Sequence, residues 1–278
     1  MSLLVQDIVR MGMKQLEDAG VDSPKHDAET LYCWLMHVRP DRFFMEWAEG
    51  ADDRTTEQYL DLIARRAARE PLQYIIGTQD FMGFTMKVKS GVLIPRLDTE
   101  TVVEKAASLL EGQKDPDVLD LCCGSGAIGI ALAKMTSAKV TSTDLSDIAV
   151  SLTRENASAN SAGVTVLHGD LFAPVKRKKY DMVISNPPYI KTDVIPTLMP
   201  EVRDYEPVEA LDGGDDGLDF YRRVIEEAPD HIKDDGLLVF EIGDDQGRAV
   251  TALLADSEFF DEAEVSQDLA GRDRMVIA

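Results

Sequence analysis

Cysteine, aromatic residues and positive charge are all scarce in this 278-residue chain, and each scarcity excludes something. Cys33, Cys122 and Cys123 show neither Cys-x-x-Cys spacing nor a paired framework, which argues against a disulfide scaffold or a thiolate metal cluster. Reduced thiols, a cytoplasmic address and no metal are expected. No stretch approaches the roughly 18 uninterrupted apolar residues of a membrane span. The opening Met1-Ser2-Leu3-Leu4-Val5-Gln6-Asp7 lacks a basic start and a small-residue cleavage site, so a signal peptide is not expected. Lys and Arg number 29 against 51 Asp and Glu, a formal charge of −22 that repels phosphate backbones. The basic run Lys176-Arg177-Lys178-Lys179 reads as a solvated turn before a strand. Neither nucleic acid nor membrane is an expected partner.

What the chain does have is a 44% apolar content, enough for a large domain and a small one. Apolar residues recur at near-helical spacing over residues 3–19, with Ser2 placed as a cap and Gly20 as a stop. Ser23-Pro24 opens a second helix, a short one covers Asp41 to Ala48, and another runs from Thr55 to Arg69 before Pro71. His26, Trp34 and His37 fall within this bundle and read as packing or surface residues. From Gln73 the pattern turns to alternation: Tyr74-Ile75-Ile76, then Phe81, Phe84, Met86 and Val88 predict a β-hairpin between two domains. The expected division is a helical domain over 1–71, a hairpin linker over 72–93 and a catalytic domain over 94–278.

The last part is doubly wound α/β in pattern. Asp98 is placed as the cap of a helix over Thr101 to Leu110. Strands are predicted at 118–121, 139–143, 164–167, 180–185 and 237–242. Helices follow at 130–135, 148–159, 218–232 and 247–254, and two closing strands at 262–265 and 274–277. Carboxylates and glycines recur where these strands end. Asp120 closes the first, Gly124-Ser125-Gly126 and Gly129 form the turn after it, Asp144 closes the second and Asp170 lies just past the third. A carboxylate at the end of the second strand suits a ribose diol, because it accepts from both hydroxyls. That geometry admits a dinucleotide or S-adenosylmethionine.

Asn186-Pro187-Pro188-Tyr189 separates the two. It follows the strand Tyr180 to Ser185, and its prolines remove two donors and fix two φ angles, so its carbonyls point in set directions. The Asn186 side-chain oxygen and the Pro187 carbonyl can each accept one N–H of a planar –NH2 group, while the Tyr189 ring lies against its plane. Hydride transfer has no use for such a clamp, whereas methyl transfer to an amino nitrogen does. His168 is a weaker candidate for a general base. An amide nitrogen becomes strongly acidic once alkylated and can lose its proton to water.

These motifs resemble the HemK/PrmC protein-glutamine N5-methyltransferases of peptide chain release factors. The resemblance spans Glu70-Pro71-Leu72-Gln73-Tyr74-Ile75-Ile76-Gly77, Ile94-Pro95-Arg96-Leu97-Asp98-Thr99-Glu100, the glycine turn and the Asn-Pro-Pro-Tyr stretch. It continues in Tyr205-Glu206-Pro207 and in Gly213-Gly214-Asp215-Asp216-Gly217. It implies a class I S-adenosylmethionine-dependent methyltransferase fold, Rossmann-like, with a terminal antiparallel strand. Asn186 to Tyr189 would hold the substrate glutamine, with Asn186 also near the cofactor methyl. The glycine turn would receive the methionine part of the cofactor, Asp144 its ribose, and Asp170 with Leu171 its adenine. Arg96, Thr99 and Glu100 would lie over the methionine end. The helical domain would recognise the glutamine loop of a release factor, and a monomer is expected.

The chain departs from the family at Cys122-Cys123, where Gly and then Thr or Ser is usual, and at Leu171, where a larger aromatic is common. Residues 190–217 are expected to form a partly mobile lid. Two other readings compete: N-methylation of an exocyclic amine of RNA or DNA, and a catalytically silent module that docks translation factors.

Overall fold

The computed structural model describes residues 3–260 and 262–278, so the cap expected at Ser2 lies outside the described residues. The chain divides into two compact units, Met1–Gly77 with Met199–Tyr205, and Thr78–Leu198 with Glu206–Ala278.

The first unit is helical: α1 (Val5–Asp18), α2 (Pro24–Met36), α3 (Phe43–Glu46), α4 (Asp53–Ala67) and α5 (Leu72–Ile76). Helical spacing in α1 puts Val5, Ile8, Val9 and Leu16 on one buried face, and α4 adds Tyr59 and Ile63 to the same core. Asp52 caps α4, its Oδ1 accepting from the Thr55 amide at 2.7 Å. Polar burial is paired. Arg66 donates from Nε to Asp27 at 2.7 Å and from Nη2 to Glu201 at 2.8 Å, and Arg69 adds a second guanidinium to Glu201. Tyr74 to Ile76, expected as strand, form the end of α5 instead. Leu72 and Ile75, three residues apart, bury one helical face, and Gly77 ends the turn at φ 81°.

The second unit opens with a two-stranded hairpin, β1 (Thr78–Phe81) and β2 (Phe84–Lys87), turned by Met82 and Gly83, both at positive φ. Next come α6 (Asp98–Leu109), β3 (Asp117–Leu121), α7 (Ala127–Met135), β4 (Lys139–Asp144), α8 (Asp147–Ala159), β5 (Val164–His168) and β6 (Tyr180–Ser185). After β6 the elements are α9 (Pro200–Arg203, in the first unit), α10 (Asp219–Glu227), β7 (Ile232–Glu241), α11 (Gly247–Asp256), β8 (Glu264–Gln267) and β9 (Asp273–Ile277). The strands order as β5-β4-β3-β6-β7-β9-β8, the first five parallel and the last two antiparallel. Val118, Leu119, Val183, Ile184, Leu238 and Val239 are fully buried, as expected of strands covered on both faces.

Three expectations are corrected here. Asp98 is the first residue of α6 and caps nothing, since Leu97 occupies the cap position without a side-chain bond. The helix expected over 218–232 stops at Glu227, because Pro229 carries no N–H for its continuation, and Ile232 already belongs to β7. The closing strands lie at 264–267 and 273–277, displaced from the expected spans. Residues 190–217, expected as a partly mobile lid, hold short helices at Ile195–Thr197, Pro200–Arg203 and Val208–Ala210 and a parallel bridge from Ile190 to Asp212.

Candidate active site

β3 and β6 are neighbours at the centre of the sheet although β4 and β5 separate them in the chain. Successive connections therefore leave in opposite directions from this pair, which opens a crevice beyond its carboxyl ends. The glycine turn follows β3 and Asn186-Pro187-Pro188-Tyr189 follows β6. Topology alone thus brings together two stretches some 60 residues apart in the chain.

Along the β3 side, Cys122 adopts φ 56°, Gly124 φ 55° and Gly126 φ 83°. A left-handed cysteine is a strained residue, and such strain gathers at ligand sites. Burial pushes the Cys122 thiol up to about 12 and the Cys123 thiol well above its ordinary value, so both stay neutral. Cys123 packs inward, its sulfur 3.4 Å from Thr153 Oγ1, and Ser125 is buried.

Asp120 lies wholly beneath this turn. Its Oδ2 accepts from the Gly129 amide at 3.1 Å and from Ser142 Oγ at 3.0 Å, while Oδ1 has no partner among the described residues. Burial pushes its carboxyl up to about 7. A side chain at Gly129 would strike Ser142 and Asp120, so this glycine is required by the buried contact.

At the end of β4, Asp144 accepts the Gly124 amide on Oδ2 and the Ser146 amide on Oδ1, each at 2.8 Å. Each oxygen keeps acceptor capacity beyond these bonds, an acceptor pair that fits a vicinal diol. Burial raises its pKa against these bonds. Past β5, Leu171 is buried with φ 44°, its carbonyl accepting from Thr143 Oγ1, while Asp170 pairs with Arg223 at 2.6 Å. His168 points elsewhere, its Nε2 2.7 Å from the Leu145 carbonyl.

The tetrapeptide after β6 is held from several sides. Ser185 Oγ donates to the Leu121 carbonyl at 3.0 Å, and Asn186 Nδ2 donates to Thr99 Oγ1 at 3.4 Å. Pro187 and Pro188 are buried; Asn186 and Tyr189 are half-buried. The later glycines explain themselves here: a Cβ on Gly213 would lie 2.9 Å from the Pro188 carbonyl, and one on Gly217 2.4 Å from the Tyr189 carbonyl. Only glycine lets that loop rest against the tetrapeptide. Arg96 pairs with buried Glu206, which also accepts from the Ile94 amide at 3.2 Å, whereas Glu100 turns to the hairpin and accepts from the Met82 amide.

Three supporting residues were given no role by the sequence reading, although Glu206 stands within the Tyr205-Glu206-Pro207 motif. Glu206 anchors Arg96. Gln246 Nε2 donates to the Tyr189 and Gly217 carbonyls at 3.0 and 3.1 Å. Glu241, at the end of β7, is 1% exposed with Oε2 unpartnered among the described residues. Burial pushes its carboxyl up to about 7, opposed by side-chain hydrogen bonds from Thr99 and Asn186 and by the charge of Arg274.

Strand order with an inserted antiparallel last strand, and a glycine turn set beside Asn-Pro-Pro-Tyr, define a class I S-adenosylmethionine-dependent methyltransferase fold. Residues 7–77 match the PrmC N-terminal domain family, and residues 96–199 match the methyltransferase small domain family. The chain is 40% identical to the release factor glutamine methyltransferase of Geobacter sulfurreducens, covering 94% of this chain and 91% of that one. It is likewise 40% identical to that of Moorella thermoacetica, over 96% and 95%. The chain belongs to the release factor glutamine methyltransferase family and is an enzyme. Among solved structures, T. thermophilus 16S rRNA N2 G1207 methyltransferase superposes with TM-score 0.53 at 19% identity, covering 72% of this chain and 49% of that one; this likeness is one of fold.

Proposed function

We propose that this chain methylates the side-chain nitrogen (N5) of a glutamine in a class 1 peptide chain release factor, using S-adenosylmethionine, as a monomer in the cytoplasm. Residues 1–71 serve recognition of the release factor, 72–93 link, and 94–278 carry the chemistry. The observation that supports this best is the meeting of Gly124, Asp144 and Asn186 at one topological switch point. The names of the relatives support the substrate.

Bound S-adenosylmethionine supplies a methyl group already activated on a cationic sulfur, so no protein nucleophile is required. The chain's residues position and orient. Asp144 accepts the ribose hydroxyls, with the backbone at Cys122 to Gly126 around the methionine part, Asp170 and Leu171 at the adenine, and Arg96, Thr99 and Glu100 at the methionine end. Asn186 Oδ1 and the Pro187 carbonyl accept the two N–H groups of the glutamine amide, and Tyr189 supports its plane. This turns the nitrogen lone pair toward the methyl carbon. The alkylated nitrogen then releases its proton to water.

The test offers methyl-labelled cofactor with intact release factor, its loop Gln→Ala variant, RNA and DNA in separate reactions. Label on the intact factor alone is expected. Label on nucleic acid would replace the substrate, and cofactor binding without any label would favour a docking module.

A further inference from the structure

The exit of β7 grips both ends of the Asn186 to Tyr189 stretch. Ser185 pairs with Phe240 in the sheet, so the next residues, Asn186 and Glu241, leave adjacent strand ends together. Five residues on, Gln246 takes the Tyr189 carbonyl, and its own Oε1 is held by the Gly243 amide at 2.9 Å.

The Glu241 end is the unusual one. A buried carboxylate with an unpartnered oxygen weakens a fold, so stability does not account for it. The groups around it are, from α6, Asp98 and Thr99; from β9, Arg274; from the tetrapeptide, Asn186 and Tyr189; and from α10, Tyr221, whose hydroxyl donates to the Glu241 backbone carbonyl. Arg274 divides its charge between Asp98 at 3.3 Å and Asp268 at 3.2 Å. Donor groups on the Thr99 and Asn186 side chains lie close enough to favour the ionised carboxylate.

The direction of these contacts matters. A carboxamide has two ends of nearly equal size, and only its oxygen end can receive a substrate N–H. An ionised carboxylate accepts and never donates. The Thr99 hydroxyl has one proton; given to Glu241, it leaves its lone pairs for the Asn186 Nδ2 that lies 3.4 Å away. Both neighbours of the Asn186 amide then demand its nitrogen end.

We infer that Glu241 is a positioning residue for methyl transfer, which acts directly and through Thr99 to hold the Asn186 carboxamide with its nitrogen inward and its oxygen presented to the substrate amide. This rests on the proposed role of Asn186. A protonated Glu241 becomes a donor and competes for the oxygen that the substrate needs, so the active form is the ionised one.

The test compares wild type and Glu241→Gln on release factor, with kcat and KM measured between about pH 6 and 8.5 and cofactor affinity measured separately. Gln keeps the size but carries its own –NH2, and no longer dictates the direction. The expected result is a kcat about 10- to 100-fold lower with KM and cofactor affinity changed less than about twofold. Wild-type kcat should rise with pH through about 7, and the variant should lose that rise. A merely structural role would leave the pH profile in place. A variant with wild-type kcat and profile, beside an active wild type, overturns the inference alone. An inactive wild type overturns the proposed function and this inference with it. Should the variant fail to fold, the wild-type profile decides: a flat kcat across this range overturns the inference, and a rise through about 7 supports it.

Discussion

In the helical unit the buried carboxylates face arginines, whereas Asp120 and Glu241, at the ends of central strands of the sheet, are in no ion pair among the described residues. Asp27 and Glu201 share Arg66, with Arg69 as a further partner of Glu201. Asp120 and Glu241 are buried more completely, and each leaves one oxygen without a partner among the described residues. Buried charge that is fully paired can hold a fold; buried charge left open at the ends of central strands is where ligand chemistry gathers. The same residue type thus has two uses, told apart by its partners.

The comparison breaks most severely at Arg66. Arg66→Ala leaves Asp27 uncompensated and Glu201 with Arg69 alone, and is expected to destabilise the helical unit by about 3–5 kcal/mol. Denaturant unfolding, resolved by amide exchange in the two units, measures it. An equal loss in the sheet unit would sink the distinction. Asn186→Ala is the counterpart: kcat should fall about 100- to 1000-fold with little change in unfolding midpoint or cofactor binding. Asp144→Ala reverses that split, weakening the cofactor about 10- to 100-fold by calorimetry, since it removes the acceptor of two hydroxyls.

The pH response sharpens the contrast least in size but most in sign. Asp120 and Glu241 have folded values near 7, above the ordinary 3.8 and 4.5. The folded chain therefore binds more protons between those limits. The stability these groups contribute is complete below the ordinary values and lost as pH rises through about 7. Glu201 runs the other way: burial opposes its ionisation, but hydrogen bonds from Arg69 and Arg66 prevail and hold its carboxyl low. Its contribution is present above 4.5 and lost as pH falls through the depressed folded value. Asp120→Asn should flatten the decline between about pH 5 and 8 by on the order of 1–2 kcal/mol in urea unfolding of the sheet unit. An unchanged slope would mean that Asp120 is ionised throughout.

Local patterns were legible wherever period and punctuation agreed. The strand Tyr180 to Ser185 lies within its expected bounds, and the glycine turn after Leu121 forms where foreseen. Boundaries slipped where two signals competed. Tyr74-Ile75-Ile76 has strand-forming side chains, yet burial of Leu72 and Ile75 on one face won. At Ala228 to Ile232 an apolar spacing that suits a helix crosses Pro229 and gives way to a single 3-10 turn over Ala228–Asp230 before β7 begins at Ile232. Glu241 and Gln246 carried no signal of their own, and Glu206 stood in a motif that did not say what it touches. Two of them are ordinary acids among 51, and the site residues they support, Arg96, Asn186 and Tyr189, lie 55 or more residues away along the chain.

By itself the sequence determined the class of fold and the chemistry, and it named the residues proposed to meet the reacting groups. Those depend on local stereochemistry: proline fixes φ, glycine admits left-handed turns, and an Asn oxygen accepts an N–H whatever surrounds it. Which carboxylates are paired and which left open, and which way the Asn186 amide turns, was decided only by tertiary structure. Register between strands distant in sequence sets those neighbours, and burial sets what their charges cost.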